Sequence, residues 1–278
     1  DKCETPEFLG RKITENGELM LAVRSEYKYN KSVITQDMVL YSSSRRIDFK
    51  TKVDFHENHR LLKTAFGVDV RSTKATYDIQ FGHAERPTHS NTSWDYAKFE
   101  VVAHKWMDIS DSGYGVSLLN DCKYGHSAKG NVIKLTLLKS PKFPDYAADM
   151  GEHMFTYSLL PHTGNVVEGD TIEQANLLNI PPLVIKGKSR EENKQLFKID
   201  SENVSIDAVK ACGNGDGVLI RLHECRGGKA NVSITSDYGI KTYVPSDLLE
   251  NSIGDTVNSD AIEARFNPFE IKSFIVKF

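Results

Sequence analysis

A strict alternation of apolar and charged residues between positions 46 and 55 constrains the fold more than any other feature of the sequence. Ile47, Phe49, Val53 and Phe55 occupy every second position together with Thr51, and charged residues fill the positions between them. A period of two places one set of side chains on a core and the other set in water. The segment therefore predicts a half-buried β-strand.

Similar signals recur along the chain and predict an all-β protein. Strands are predicted at residues 61–70, 98–106, 115–119, 132–138 and 152–160, and more loosely at 29–40, with turn-forming residues between them. Helix is expected only at 173–178, which Pro181 and Pro182 would end. Many short strands with close turns favour a large β-sandwich with antiparallel pairing.

A second strand set follows a charged, apolar-poor segment at 186–195, which is expected to be an exposed linker. Its strands are predicted at 204–209, 217–222, 230–235 and 271–278. We therefore expect a large β-sandwich over residues 1–200 and a small C-terminal β-sandwich over residues 201–278.

Composition excludes several classes of protein. Hydrophobic residues make up 39% and charged residues 26% of the chain, as in globular proteins, and no apolar run is long enough for a membrane span. A formal charge of −3 gives no reason to expect a nucleic-acid partner. The four scattered cysteines are typical of reduced thiols, which predicts a cytoplasmic protein.

A long, ordered series of short blocks carries a family resemblance. The blocks are RRIDF at 45–49, VDFHENH at 53–59, QFGHAERPTHSNTSWD at 80–95, FEV at 99–101, AHKW at 103–106, GVSLLNDCKYGH at 115–126, LLKSP at 137–141, FTYSLLPH at 155–162 and NLLN at 176–179. Together they resemble the C-terminal β region of glycoside hydrolase family 38 α-mannosidases, in the branch with cytosolic and many bacterial enzymes. The resemblance covers residues 16–182, with a weaker continuation to residue 278.

The resemblance implies a supersandwich similar to that of galactose mutarotases, with its opening strands upstream of residue 1. The free strand edge would then pair with an N-terminal partner chain or with another copy, so self-association stays an alternative. The family hydrolyses α-mannosides with retention, using two carboxyl groups and a zinc ion. The family's zinc-binding His-x-Asp motif is absent here. We therefore assign no catalytic residue and no metal ligand to this chain, and expect zinc in an N-terminal catalytic domain outside it.

Residues 83–100 form the best candidate for contact with an α-mannoside glycan. Planar hydrogen-bonding groups beside an aromatic ring suit a sugar, and function concentrates on long loops between strands. The candidate substrate contacts are Trp94, Asp95, Glu100, His104 and His126. A structural loop with Trp94 packed beneath it is the plainer interpretation.

Two other interpretations depend on pairs of residues. His56 and His59 would point to opposite faces of a strand end, so a polar turn is favoured there over a metal site. Glu100 and His104, four residues apart on one predicted strand, would share a face as an acid and a base. That pair would suit a stand-alone carbohydrate-binding or mutarotase-like β-sandwich.

Overall fold

The computed structural model describes residues 2–188, 193–213, 215 and 217–278. Residues 189–192 of the predicted linker lie outside the described residues. The chain divides into two compact units, the first comprising Asp1–Ile79 with Ala84–Pro182 and the second Gln80–His83 with Leu183–Phe278. The predicted boundary near residue 200 stays a prediction.

The first unit contains a nine-stranded antiparallel sheet in the order β1-β2-β3-β4-β13-β10-β9-β6-β7. Its strands are β1 (Glu7–Asn16), β2 (Met20–Tyr29), β3 (Ser32–Tyr41), β4 (Ser44–Phe55), β6 (Lys74–Ile79), β7 (Gly82–Pro87), β9 (Trp106–Ser110), β10 (Tyr114–Asn120) and β13 (Gly151–Thr163). The alternating segment at 46–55 lies within β4, as its pattern predicts.

A four-stranded sheet in the order β5-β12-β11-β8 packs against this large sheet. Its strands are β5 (Leu61–Gly67), β8 (Val101–Val102), β11 (Gly125–Lys129) and β12 (Val132–Lys139). Fully buried Met107, Leu118, Ile133 and Leu135 belong to the core cluster that both sheets share. The predicted large β-sandwich is confirmed.

A helix covers the opposite face of the large sheet. Helix α2 (Thr171–Asn179) packs Ala175 against Trp106, Leu119 and Leu160. Neighbouring Leu118 and Leu119 are therefore both buried, one on each face of β10. The helix is longer at both ends than the predicted 173–178.

A buried polar cluster links β9, β10 and β13. The carboxylate of Asp108 accepts hydrogen bonds from Ser110 Oγ at 2.8 Å and from Ser117 Oγ at 2.7 Å, and His162 Nε2 lies 2.7 Å from it. Burial alone would lower the pKa of His162, but the hydrogen bond and the charge of Asp108 raise it above its usual value. The pairing leaves neither the acid nor the base uncompensated in the core.

The second unit is a smaller sandwich of a three-stranded sheet (β14-β17-β20) and a five-stranded sheet (β15-β16-β21-β18-β19). Its strands are β14 (Lys198–Ile199), β15 (Val204–Ala211), β16 (Val218–Glu224), β17 (Ala230–Thr235), β18 (Thr242–Ser246), β19 (Val257–Asn258), β20 (Ile262–Phe266) and β21 (Ile271–Lys277). Ile220, Leu222, Ile234 and Phe266 fill its core. The predicted small C-terminal β-sandwich is confirmed.

Two local predictions are wrong. The continuous strand predicted at 98–106 is instead β8 in the small sheet followed by β9 in the large one, since the chain crosses between sheets there. Residues 83–100 are not simply a loop, because they include most of β7 and a short helix, α1 (Ser93–Ala97).

Candidate functional site

A small pocket of about 50 Å³ lies in the first unit, beside the segment that the sequence singles out. Residues from β6, β7, α1 and β11 and from the segments that flank the helix line it. The lining includes Tyr77, Arg86, His89, Asp95, Glu100 and His126. The pocket thus brings together three of the five predicted substrate contacts.

His126 lies on β11 and is completely buried. Its Nε2 is 3.2 Å from the side-chain nitrogen of Asn120, while its Nδ1 has no hydrogen-bond partner in the described part of the chain. Burial lowers the pKa of His126 to about 4, although the nearby carbonyl of Lys123 opposes that shift in part. The imidazole is therefore neutral at pH 7.

Asn120 decides which nitrogen of His126 carries the proton. The Oδ1 atom of Asn120 accepts from the amide of Lys123 at 2.6 Å, and its Nδ2 donates to the carbonyl of His104 at 2.9 Å. These main-chain partners fix the amide so that Nδ2 faces His126 as a donor. Nε2 must then accept, and the proton of the neutral ring lies on Nδ1. His126 thus carries a buried N–H on Nδ1 that makes no well-formed hydrogen bond within the described residues, although the carbonyl of Lys123 lies near the ring.

Arg86, on β7, contributes a second buried donor. Its Nε atom has no hydrogen-bond partner in the ranges the structure describes, and its guanidinium lies 5.8 Å from the ring centre of Tyr77. An unsatisfied buried donor costs about 1–3 kcal/mol, and more when it is charged. Both donors thus belong to residues that line the same pocket, and each is a buried polar group that requires an explanation.

Asp95 is held in place by helix α1. Thr92 caps the helix, donating to Asp95 Oδ2 from its hydroxyl at 2.8 Å and from its amide at 3.3 Å, while the amide of Asp95 donates back to Thr92 Oγ1. This capping box lowers the pKa of Asp95. Asp95 is therefore a fixed carboxylate, with its Oδ1 left for another donor.

Glu100 is fixed by the small sheet. Its Oε1 atom accepts from Thr136 on β12 and forms an ion pair with Lys63 on β5. Burial acts to raise the pKa of Glu100, but these two partners outweigh it and lower the pKa. Glu100 is thus an ionised acceptor and not a proton donor.

Trp94 and His104 lie outside the pocket lining. Trp94 is 79% exposed on helix α1, so it does not pack beneath a loop as the plainer interpretation expects. The His104 ring lies edge-on to Tyr124, with 5.8 Å between ring centres. Because His104 follows β8 and Glu100 precedes it, the two do not share the face of one strand.

Arg86 and His89 lie within the candidate segment 83–100 but are not among the predicted substrate contacts, and the sequence does not single out Tyr77. Tyr77 is a buried core residue, and nothing in the sequence around it indicates a pocket. Among the described residues, no group of three or more His, Cys, Asp or Glu side chains could hold a metal ion. The four cysteines, all within the described residues, form no disulfide. No described helix is long and apolar enough to cross a membrane.

The residues that line the pocket carry two unsatisfied N–H groups and two carboxylates, together with Lys98 and His89, around a volume that suits one or two waters or a few atoms of a larger ligand. A hydroxyl group, which both donates and accepts, matches this arrangement. The pocket is therefore suited to hold part of a polyhydroxylated ligand.

Comparisons with known proteins agree on one family. Residues 9–147 match the glycosyl hydrolases family 38 C-terminal domain, and residues 203–274 match the family 38 C-terminal beta sandwich domain. The chain is 38% identical over 279 residues to alpha-mannosidase G of Dictyostelium discoideum, covering 95% of this chain and 26% of that protein. It is 39% identical over 253 residues to human alpha-mannosidase 2C1, covering 88% of this chain and 24% of that protein.

A solved structure of an alpha-mannosidase from Enterococcus faecalis V583 has the same fold, with a TM-score of 0.81 at 15% identity. The match covers 96% of this chain and 35% of the bacterial one. The chain therefore spans about a quarter of the length of its curated relatives and about a third of the bacterial enzyme. This chain belongs to glycosyl hydrolase family 38 and corresponds to the C-terminal region of that family's proteins.

Proposed function

We propose that this chain is the non-catalytic β part of a retaining, zinc-dependent α-mannosidase of the cytoplasm, and that its small pocket contributes to mannoside binding. The observation that carries the pocket's role is the pair of buried, unsatisfied donors, His126 Nδ1 and Arg86 Nε. Relatives named as alpha-mannosidases, at 34–39% identity, support the activity. The absence of disulfides among the four cysteines that the structure describes supports a reducing compartment.

Each pocket residue would take a distinct part in holding the sugar. The N–H groups of His126 and Arg86 would donate to sugar oxygens, and Asp95 and Glu100 would accept from sugar hydroxyls. Asp95 is fixed by the capped helix, Glu100 by Thr136 and Lys63, and His126 by Asn120, so these three side chains lose little ordering entropy on binding. These residues orient the ligand and transfer no proton.

The reacting groups would come from elsewhere in the complete protein. The described residues do not fit a zinc site, because they lack a cluster of three possible ligands. We therefore propose that the zinc ligands and both catalytic carboxyl groups lie in an N-terminal domain outside these 278 residues. That domain would also be the main partner of this chain.

The test uses the complete enzyme with His126→Phe, which keeps a ring in the cavity and removes both nitrogens. We expect kcat/KM for a chromogenic α-mannoside to fall about tenfold, since tenfold corresponds to about 1.4 kcal/mol of lost stabilisation. The matched control is His56→Phe, a histidine outside the pocket whose side chain is 46% exposed. An unchanged kcat/KM in a folded His126→Phe enzyme would remove the pocket from substrate binding.

A second measurement concerns the 278-residue chain alone. We expect neither stoichiometric zinc nor turnover of the α-mannoside. Bound zinc together with turnover would place the catalytic site in this chain and refute the proposed division of labour.

A further inference from the structure

A wider cavity of about 840 Å³ lies in the same unit, where four connecting segments converge. Arg71 and Ser72 come from the connection between β5 and β6, and Thr88 and His89 follow β7. Lys129 is the last residue of β11, directly before the turn to β12. Asp111, from the turn between β9 and β10, also lines the cavity. The cavity is large enough to admit a charged group together with part of a sugar.

Hydrogen bonds of Thr88 join three of these segments. Its amide donates to the carbonyl of Thr73 at 3.0 Å, and its hydroxyl donates to the carbonyl of Ser72 at 2.7 Å. Its own carbonyl accepts from the amide of Gly130 at 2.8 Å. Thr88 is itself 4% exposed, so the segments that carry Arg71 and Lys129 are held by buried main-chain bonds.

The charges that face this cavity are unbalanced. Arg71 and Lys129 are both exposed, and neither forms an ion pair or a side-chain hydrogen bond with any residue that the structure describes. The carboxylate of Asp111 is already used, because its Oδ1 accepts from the amides of Gly113 at 2.9 Å and Tyr114 at 3.0 Å. Two exposed cations and one carboxylate, one of whose oxygens already accepts from two main-chain amides, therefore line the cavity and leave it with a net positive charge.

The wide cavity adjoins the small pocket. His89 lines both of them. A ligand with a neutral hydroxylated part in the small pocket would consequently direct a neighbouring substituent past His89 toward Arg71 and Lys129. The chemistry that suits those two cations is an oxyanion with several acceptor oxygens.

We propose that the wide cavity binds a phosphate or sulfate monoester, carried by a glycan whose sugar contacts the small pocket. The sugar part of this inference rests on the proposed function, whereas the anion part does not. An anion site of this kind predicts that the chain binds anionic glycans more tightly than neutral ones. Membership of the family does not by itself predict this preference.

The test titrates the ¹⁵N-labelled 278-residue chain with inorganic phosphate, inorganic sulfate, mannose 6-phosphate and mannose at low ionic strength. We expect both inorganic ions to shift the amide signals around Ser72 and Gly130, and mannose 6-phosphate to bind more tightly than either ion or mannose. Raising the salt to about 0.5 M should weaken all anion binding, because exposed charges are screened.

The variant Arg71→Gln/Lys129→Gln should bind phosphate about tenfold more weakly. The matched control, Lys31→Gln/Lys229→Gln, removes the same charge from two exposed lysines away from the cavity. Equal weakening by both variants, or no phosphate binding by the parent chain, would overturn the anion site. Phosphate binding without any gain from the mannose part would keep the anion site and count against the sugar pocket.

Discussion

Gly115 on β10 provides the sharpest test of packing in the first unit. A Cβ atom at this position would lie 2.4 Å from Cε1 and 2.7 Å from Nε2 of His162, and 2.7 Å from Cβ of Ser110. Carbon atoms in contact are normally about 3.5–4.0 Å apart, so Gly115→Ala creates an overlap of more than 1 Å. His162 must move or the strands must separate.

The histidine has little room to move away. On its other side, the Cβ position of Gly169 is only 2.8 Å from Nδ1 of His162, so the ring is already packed against that main chain. Displacing it would also break its 2.7 Å contact with Asp108. Overpacking costs about 1–3 kcal/mol, and loss of a buried charge-assisted hydrogen bond adds about 1.5–3 kcal/mol. We therefore expect Gly115→Ala to lower the free energy of unfolding by about 4 kcal/mol.

Thermal unfolding measures this directly. For a unit of this size, about 4 kcal/mol corresponds to a fall in Tm of roughly 8–16 °C. Gly67→Ala is the matched control, because no atom lies within 4 Å of a Cβ at that position, and its Tm should change by less than about 3 °C. A Tm for Gly115→Ala within about 3 °C of the parent would refute the packing argument.

Three further predictions concern groups held by specific hydrogen bonds. Because the folded pKa of His162 is raised, protonation of His162 contributes fully to stability below about pH 6.5 and this contribution is lost as the pH rises through the folded pKa. Urea unfolding across that range should show a falling free energy of unfolding. His162→Gln should remove this dependence on pH. Glu57 accepts from Ser32 Oγ at 2.8 Å and from the amide of Lys31, so Glu57→Ala should cost about 2 kcal/mol in urea unfolding; a change below about 0.5 kcal/mol would contradict this. Thr92→Ala removes the cap of helix α1 and should destabilise the helix locally by about 1 kcal/mol. Amide hydrogen exchange at Asp95 and Tyr96 should therefore become faster. In the control variant Thr235→Ala, the exchange rates of Asp95 and Tyr96 should equal those of the parent.

The sequence predicts most accurately the strands whose pattern reflects burial on one face or continuous burial. Strand β4 alternates because Thr51, Val53 and Phe55 face the core; Asp48, on the other face, is an exception at 2% exposed. Strand β10 is a short apolar run because both of its faces are covered. Strand β1 was missed because nearly all of its residues are exposed, so no burial pattern marks it. The crossing between β8 and β9 was missed because Val101–Val102 and the start of β9 at Trp106 and Met107 are both apolar, and sequence alone does not say which sheet each one joins.

The candidate site was predictable in location but not in detail. The family resemblance and the loop composition indicated Asp95, Glu100 and His126, and the pocket contains all three. The partners that define their states are distant in sequence, as when Lys63 on β5 reaches Glu100. The unsatisfied donor on His126 depends on the orientation of the Asn120 amide, which only the folded main chain determines.

The side-chain amide of Asn120 determines whether Nδ1 of His126 acts as a hydrogen-bond donor or as an acceptor toward a ligand. Replacing its NH₂ group with oxygen, as in Asn120→Asp, would place an acceptor beside His126 Nε2 and draw the ring proton to that nitrogen. Nδ1 would then become an acceptor, and a pocket that binds ligand oxygens would instead favour ligand donors. Two proteins with this fold and the same pocket-lining residues could thus have opposite ligand preferences, and the difference would lie at a position outside the pocket lining.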